Sequence, residues 1–465
     1  MKVKTIPSTW ITAEGRRLDC GPFMSGALEA RMVLSQLTQR KDRLREVTQN
    51  GIDGIVNAGR VKRLWVDNPQ HGIPFLSSSD ILQADLSTAP LISNKVVADY
   101  PQLIIRRGWT LITRSGTIGR MVYARPDMDG MGCSEHVMRV IADPARIPPG
   151  YLYAFLSSKY GVPMIVGGTY GSIIQSIEPH HIADLPVPRL GEAVEQRAHA
   201  LVEEAAQNRT NATRLLREAR QELYRHLQIP LPRPESEFSR PLIAETSSRQ
   251  IQSRFDAFYY ALPNREARNA FDRANAAAIT LGAVADVFIP GIFKRRYALD
   301  PTFGYPYITG ADVFNLAPTS DQFLMRKVAE EYGLVLKDGM IVIQEAGQLG
   351  GLIGRSVMVG RNVDGFACTN NMIRVTPNDK RDTGYLYALL SSEFGVRLIA
   401  RESAGSSIPH IEVYRIRNLA IPWPDQETRF EIAGYAAQAL ELSDAACDYE
   451  TEARTLVERT IEGFV

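Results

Sequence analysis

Short runs of β-branched and aromatic residues, each closed by Gly, Pro or Asp, fill most of this chain, and two much longer stretches carry apolar residues at helical spacing. The short runs at 110–113, 119–124 and 137–141, with 340–343 and 372–375 further on, read as strands joined by tight turns. Residues 150–160 and 384–394 read as short helices. In the first long stretch Val194, Ala198, Leu201, Ala205, Asn208, Ala212, Leu215 and Ala219 alternate spacings of four and three. In the second, Ile432, Tyr435, Ala439, Leu442, Ala446, Tyr449, Ala453 and Leu456 do the same. Such a heptad seam predicts long paired helices, and alanine at every other seam position lets two helices approach closely. Because the two seams share one register, antiparallel pairing within the molecule is expected. The alternative is that each helix packs as an amphipathic stripe on its own domain. The segment Pro230-Leu-Pro-Arg-Pro234 ends the first helix, and the polar stretch 235–249 is the candidate linker.

The chain is written twice. Gly150-Tyr-Leu-Tyr-Ala-Phe-Leu-Ser-Ser158 returns as Gly384-Tyr-Leu-Tyr-Ala-Leu-Leu-Ser-Ser392, a shift of 234 positions (384 − 150). The shift then holds through Gly161 and Gly395, Gly171-Ser172 and Gly405-Ser406, Ile174 and Ile408, Leu185 and Leu419, and Pro188 and Pro422. Even the helical tails stay in register, with Glu218-Ala219-Arg220 falling on Glu452-Ala453-Arg454. Upstream the match continues with small slips: Lys62-Arg63 with Lys294-Arg295, Gly72-Ile-Pro-Phe75 with Gly304-Tyr-Pro-Tyr307, and Cys133-Ser134 with Cys368-Thr369. The second copy inserts a few residues before Gly354-Arg355 answers Gly119-Arg120. A period this long means two whole domains, since solenoid repeats run to about 20–50 residues. Each copy is expected to be an irregular α+β globule followed by a long helix, giving a pseudo-symmetric molecule.

Bulk composition changes this picture little. The chain has 465 residues, 45% hydrophobic and 23% charged, ordinary for a folded protein of two or more domains. No apolar stretch approaches the roughly 20 residues of a membrane span, and residues 1–10 lack the apolar core of a signal peptide, so a cytoplasmic location is expected. Cys20, Cys133, Cys368 and Cys447 stand apart from one another, which suits a reducing compartment. Neither Cys133 with His136 nor His180-His181 with Asp184 completes a zinc ligand set, and no metal is expected. A net charge of +1 permits a nucleic-acid partner without favouring one, because phosphate binding draws on local lysines and arginines.

There is no GxxxxGK[ST] loop and no GxGxxG after a strand. Ser172, His180 and Asp184 could be arranged as a triad on paper. No GxSxG elbow surrounds the serine, and the second copy puts Tyr414 and Asn418 at the other two places, so catalysis is not expected. What remains is a set of turns duplicated at equivalent places. Ser115-Gly116-Thr117-Ile118-Gly119-Arg120 is a small polar loop suited to offering backbone N–H groups to a phosphate. Gly168-Thr-Tyr170-Gly-Ser172 and Ser403-Ala-Gly-Ser406-Ser407 are similar loops, and Lys62-Arg63 and Lys294-Arg295-Arg296 are basic pairs near turns. Arg114, Ser115, Gln175, Gln344, Asn370 and Asn371 are hydrogen-bonding residues placed to read bases, although Asn370 and Asn371 could equally cap a turn.

The doubled order of variable globule, Gly loop, Gly-Tyr-Leu-Tyr-x-x-Leu-Ser-Ser helix, Gly-Ser…Ile…Leu-x-x-Pro ending and long helix resembles the specificity subunit of type I restriction-modification systems over nearly the whole chain. The resemblance implies target-recognition domains at 1–188 and, with the linker, 229–422, and spacer helices at 189–228 and 423–465. It implies a non-catalytic subunit that reads a split double-stranded DNA target, one half per globule, mainly in the major groove. The helices would act as a ruler between half-sites about one turn, roughly 10 base pairs, apart. They would dock methyltransferase subunits, two being expected, through faces of the helices that include Leu201, Ala205, Ala212, Leu215, Ala439, Leu442, Ala446 and Tyr449. S-adenosylmethionine belongs to those partners, ATP and Mg to a motor-nuclease subunit where one joins, and this chain is expected to hold no cofactor. The second copy lacks Gly-Thr-Ile and inserts Gln348-Leu-Gly-Gly351, so its loop is expected to meet DNA differently. Three alternatives stay open: the specificity module of a non-classical phage-defence complex, a protein-binding scaffold with degenerate recognition domains, and a hydrolase using Ser172.

Overall fold

The computed structural model describes residues 3–13, 21–167, 176–234, 237–238, 241–249, 251 and 254–463. It divides into two compact units: Met1–Thr210 with Ala445–Val465, and Asn211–Asp444. The division falls inside both long helices, Glu192–His226 and Gln426–Ile461. Among the described residues no helix is long and apolar enough to cross a membrane.

In the first unit a four-stranded antiparallel sheet runs in the order Ile55–Val56, Val137–Val140, Thr110–Thr113, Met121–Tyr123. A second sheet runs Trp65–Val66, Leu91–Ser93, Gly72–Leu76, Gly132–Cys133, with only its last pairing parallel. A third pairs Lys41–Arg43 with Pro186–Pro188.

The second unit repeats all three in the same order. Its first sheet is Ala285–Phe288, Met372–Pro377, Ile341–Gln344, Ser356–Met358. Its second is Tyr297–Ala298, Phe323–Met325, Gly304–Ile308, Ala367–Cys368, again parallel only at its last pairing. Its third pairs Ala277–Thr280 with Ala420–Trp423. The predicted strands are all present, Thr110–Thr113 with the expected ends and the others with shifted ones. The run at 119–124 narrows to Met121–Tyr123 because Gly119 turns the chain at φ +84°, and Met372–Pro377 continues further than expected. The structure adds helices that the pattern does not predict, among them Ala27–Gln36, which buries Ala30 and Leu34, Leu262–Asp272, which buries Ala267, Ala270 and Phe271, and Glu393–Arg401, which buries Phe394, Leu398 and Ile399.

The repeated nine-residue motif has a structural reason in both units. Tyr151 and Tyr385 are fully buried and donate their hydroxyls to the carbonyls of Pro188 and, at 2.6 Å, Pro422, just before each long helix begins. At Gly150 a side chain would meet the backbone of His199 at 2.9 Å, and at Gly384 that of Ala433 at 2.4 Å, so the start of each long helix seats directly on a glycine. Ser158 and Ser392 cap the turn that follows, each donating to a carbonyl at 2.6 Å and accepting from Gly161 and Gly395.

That same turn receives the far end of the other long helix. In the first unit Glu458 accepts from the Lys159 N–H at 2.8 Å and Glu462 from the Tyr160 hydroxyl at 3.0 Å. In the second, the Tyr224 ring packs edge-on against Phe394 and Arg220 donates to Ser391 at 3.4 Å. Accordingly Ala453, Val457 and Ile461 join the core around Leu201 and Val202, while Ala219, Leu223 and Leu227 join the core around Ile432 and Ala436.

A pair of alanine substitutions separates packing from propensity. Gly384→Ala is expected to lower stability by about 1–3 kcal/mol, because the helix backbone opposite must shift. Gly434→Ala, whose new methyl meets nothing within 4 Å, is expected to raise it by about 0.5–1 kcal/mol. Urea unfolding of the two variants checks the opposite signs.

Candidate nucleic-acid interface

Each unit builds its most distinctive surface around a buried arginine. Arg139 sits on the strand Val137–Val140 with 0% exposure. It donates to the carbonyls of Cys133 at 2.7 Å, Val137 at 3.1 Å and Leu103 at 3.4 Å. Arg374, equally buried on Met372–Pro377, donates to the carbonyls of Cys368 at 3.2 Å, Thr369 at 3.1 Å and Met372. Guanidinium is a five-donor fork, and here it gathers carbonyls in place of a carboxylate. Burial pulls the Arg374 guanidinium below its ordinary pKa. Burial also pushes the neighbouring thiols of Cys133 and Cys368 up to about 11, which keeps both protonated. The consequence is a fixed turn between the parallel-paired strand and the arginine's own: Ser134-Glu135-His136 in one unit and Thr369-Asn370-Asn371 in the other.

Two segments singled out separately in the sequence converge on this turn. In the first unit the basic pair arrives through Arg63, which donates to Glu135 at 3.0 Å while its guanidinium lies 6.0 Å from the Trp65 ring centre. Arg60 lies 3.9 Å from the same carboxylate. Burial pushes the Glu135 carboxyl up, but hydrogen bonds from the backbone and Arg63 outweigh it and hold the group below its ordinary range. The Gly loop arrives through Ser115, whose hydroxyl meets His136 Nδ1 at 2.7 Å. Gly116 and Gly119 both adopt left-handed backbone, and Gly116, Thr117 and Arg120 are exposed. Lys62 is exposed as well.

Arg114 differs from its expected role. Its guanidinium donates to the Ile177 carbonyl at 2.8 Å and the Glu135 carbonyl at 3.2 Å and pairs with Glu178, so it positions the turn from behind.

In the second unit Arg295, Asn370 and Asn371 line one open cavity of about 520 Å³ together with Ile292 and Phe293. Ile292 is 90% exposed, and Lys294 and Arg296 are exposed beside it. Arg295 is held by the Tyr307 hydroxyl at 3.1 Å. The Glu345 N–H donates to the Asn371 carbonyl at 3.1 Å, as the Arg114 N–H does to His136 at 2.9 Å. The inserted residues lengthen the Gly loop without changing its closure. Thr113 N–H donates to the Arg120 carbonyl at 2.8 Å, and Gln344 N–H to the Arg355 carbonyl at 2.9 Å. Gln344 itself is turned back onto the Ala346 carbonyl at 2.8 Å. Ser406 and Ser407 lie exposed in the turn beyond Gly405, which the bridge between Ala346 and His410 brings beside the loop. Tyr170, Ser172 and Gln175 lie outside the described residues. Asp184 faces Arg45 at 3.0 Å, and His180 stacks on His181.

The seam residues of the long helices are turned inward. Leu201, Ala205, Ala212, Leu215, Ala439 and Ala446 are buried within this chain, and Leu442 and Tyr449 half-buried, so a docking partner can meet only other faces of these helices. In the first unit Arg209 and Glu450 form a buried two-pronged pair at 2.9 and 3.1 Å. Burial pulls the Arg209 guanidinium down, and the Glu450 carboxylate more than offsets it, holding its pKa above the ordinary value. In the second unit Glu222, His226 and Glu431 form the one cluster of metal-ligand type among the described residues. The Arg225 guanidinium lies 2.5 Å from Glu222 and 3.6 Å from Glu431 and supplies the positive charge there.

Sequence reasoning missed Arg60, Glu135, His136 and the two buried arginines. A signal was present: the repeat matches Cys133-Ser134 to Cys368-Thr369, then changes both of the next two residues, from Glu-His to Asn-Asn.

No family model matches the chain, and no curated protein matches it. Among solved structures it is similar to the S subunit of a type I restriction-modification system from M. genitalium, at 12% identity and a TM-score of 0.33, covering 92% of this chain and 96% of that one. It is also similar to the HsdS subunit from Thermoanaerobacter tengcongensis, at 14% identity and a TM-score of 0.29, covering 92% and 98%. A third similar chain comes from a type I R-M complex solved for its assembly and conformational transition, at 16% identity and a TM-score of 0.28, covering 92% and 99%. At these values the functional reading is left to the residues of the site.

Proposed function

We propose that this chain is a non-catalytic DNA-specificity subunit whose two units each read one half of a split target. The observation that carries this reading is the convergence, in both units, of a basic segment and a glycine loop on a two-residue turn pinned by a buried arginine. Exposed Lys62, Lys294 and Arg296 supply charge for phosphates, and the turn supplies side chains whose identity changes between the units while its frame does not. Phosphate contacts set position and base-edge contacts set sequence, so a reader needs both kinds of group side by side. The two long helices would fix the interval between half-sites, expected at about one DNA turn or a multiple of it. Their outward faces would dock methyltransferase subunits, two in number, which hold S-adenosylmethionine, and a motor-nuclease subunit with ATP and Mg where the system restricts. The cytoplasm is the compartment such a complex requires.

A salt titration of DNA binding by the full chain tests this. Affinity for duplex DNA is expected to fall steeply with salt, and Lys294→Ala with Arg296→Ala to reduce the log–log slope by about 2, since each phosphate contact contributes about 0.9. A slope near zero, or one untouched by the double change, would count against the reading.

A further inference from the structure

We infer that the pair Asn370-Asn371 determines sequence specificity in the second unit by reading an A·T pair, and that the first unit, with Glu135-His136 at the same place, reads a different base pair there. The inference rests on the DNA-reading role proposed above. It begins with the backbone. Arg374 and the Glu345 N–H hold the Thr369 and Asn371 carbonyls, which fixes the turn without using either asparagine side chain. Among the described residues no hydrogen bond engages either side-chain amide, although both line the cavity. A carboxamide offers one acceptor and a two-proton donor side by side, the complement of adenine N6 and N7 in the major groove. Ile292, 90% exposed on the same cavity, supplies the apolar surface that a thymine methyl takes. The chemistry of the cavity therefore matches both partners of one base pair.

The first unit cannot make that match. Glu135 carries no donor as a carboxylate and is engaged by Arg63 at 3.0 Å, and His136 is tied through Nδ1 to Ser115. The frame is shared and the lettering differs. That is what a duplicated reader needs in order to recognise two unlike half-sites.

The test is base-resolution methylation sequencing in cells carrying the methyltransferase partner with the full chain, as wild type, Asn371→Ala, Asn371→Gln, or the graft Asn370→Glu with Asn371→His. With Asn371→Ala, one A·T position in one half-site is expected to lose its preference by about 5- to 150-fold, the range of a bidentate base contact. The other half-site should stay as it was, and Asn371→Gln should keep adenine. The graft should move that position toward the preference shown at the equivalent position of the first half-site. An unchanged motif overturns the inference, as does relaxation confined to a G·C position or spread over both half-sites. Loss of all methylation by an Asn371→Ala protein with a wild-type melting curve overturns it too. Failure of the wild-type chain to produce any split motif would instead overturn the DNA-reading role itself.

Discussion

Glu450→Gln is expected to destabilise the first unit by about 3–5 kcal/mol, the range for stranding one member of a buried ion pair. Arg209 is 6% exposed and meets that carboxylate at 2.9 and 3.1 Å, with Cys447 sulfur at 3.8 Å beyond. A neutral amide returns only part of the interaction and leaves the guanidinium charge in a place that water does not reach. Arg209→Met combined with Glu450→Leu should recover most of the loss, because two apolar side chains of similar volume remove the desolvation penalty with the pair. Urea unfolding of the single and the double variant compares the stranded arginine with the replaced pair. If the single and double changes cost the same, the pair does not carry the coupling assigned to it.

Arg374→Met should be the second large effect, lowering the stability of the second unit by about 3 kcal/mol or more. Three carbonyls lose their donor in a site with no exposure, and each unsatisfied buried polar group costs about 1–3 kcal/mol. The functional consequence should be local: the turn bearing Asn370 and Asn371 loses its frame, and reading of one half-site weakens while the other persists. Arg139→Met is expected to show the mirror result. Hydrogen exchange at the turn amides, followed beside global unfolding, separates the local from the general loss.

Much of this was legible in the sequence because duplication doubles every structural constraint. A shift of 234 residues paired Gly150 with Gly384 and Ser158 with Ser392, and in both units those residues make the same contacts. The inserted Gln348-Leu-Gly-Gly351 was legible as a loop extension because the closing bonds lie outside it. The seam positions were legible as buried because period and alanine content agree.

Which core each helix end would enter was not legible. A heptad pattern records that a face is covered and is silent on what covers it, so it does not place Glu458 and Tyr224 on their equivalent turns. The buried arginines were illegible for a different reason. An arginine on an apolar strand ordinarily reads as an exposed side chain, and the carbonyls that satisfy Arg139 and Arg374 belong to a turn no propensity specifies. Arg114 stands next to a polar loop and so reads as a DNA-facing side chain, whereas its partners Ile177 and Glu178 lie more than 60 positions away.

The measurement that bears most directly on the central proposal is base-resolution methylation sequencing of cells carrying the partner methyltransferase, with and without this chain. Two short half-sites separated by a fixed unspecific gap, methylated only when the chain is present, are the predicted result. A continuous motif, or methylation indifferent to the chain, would contradict it.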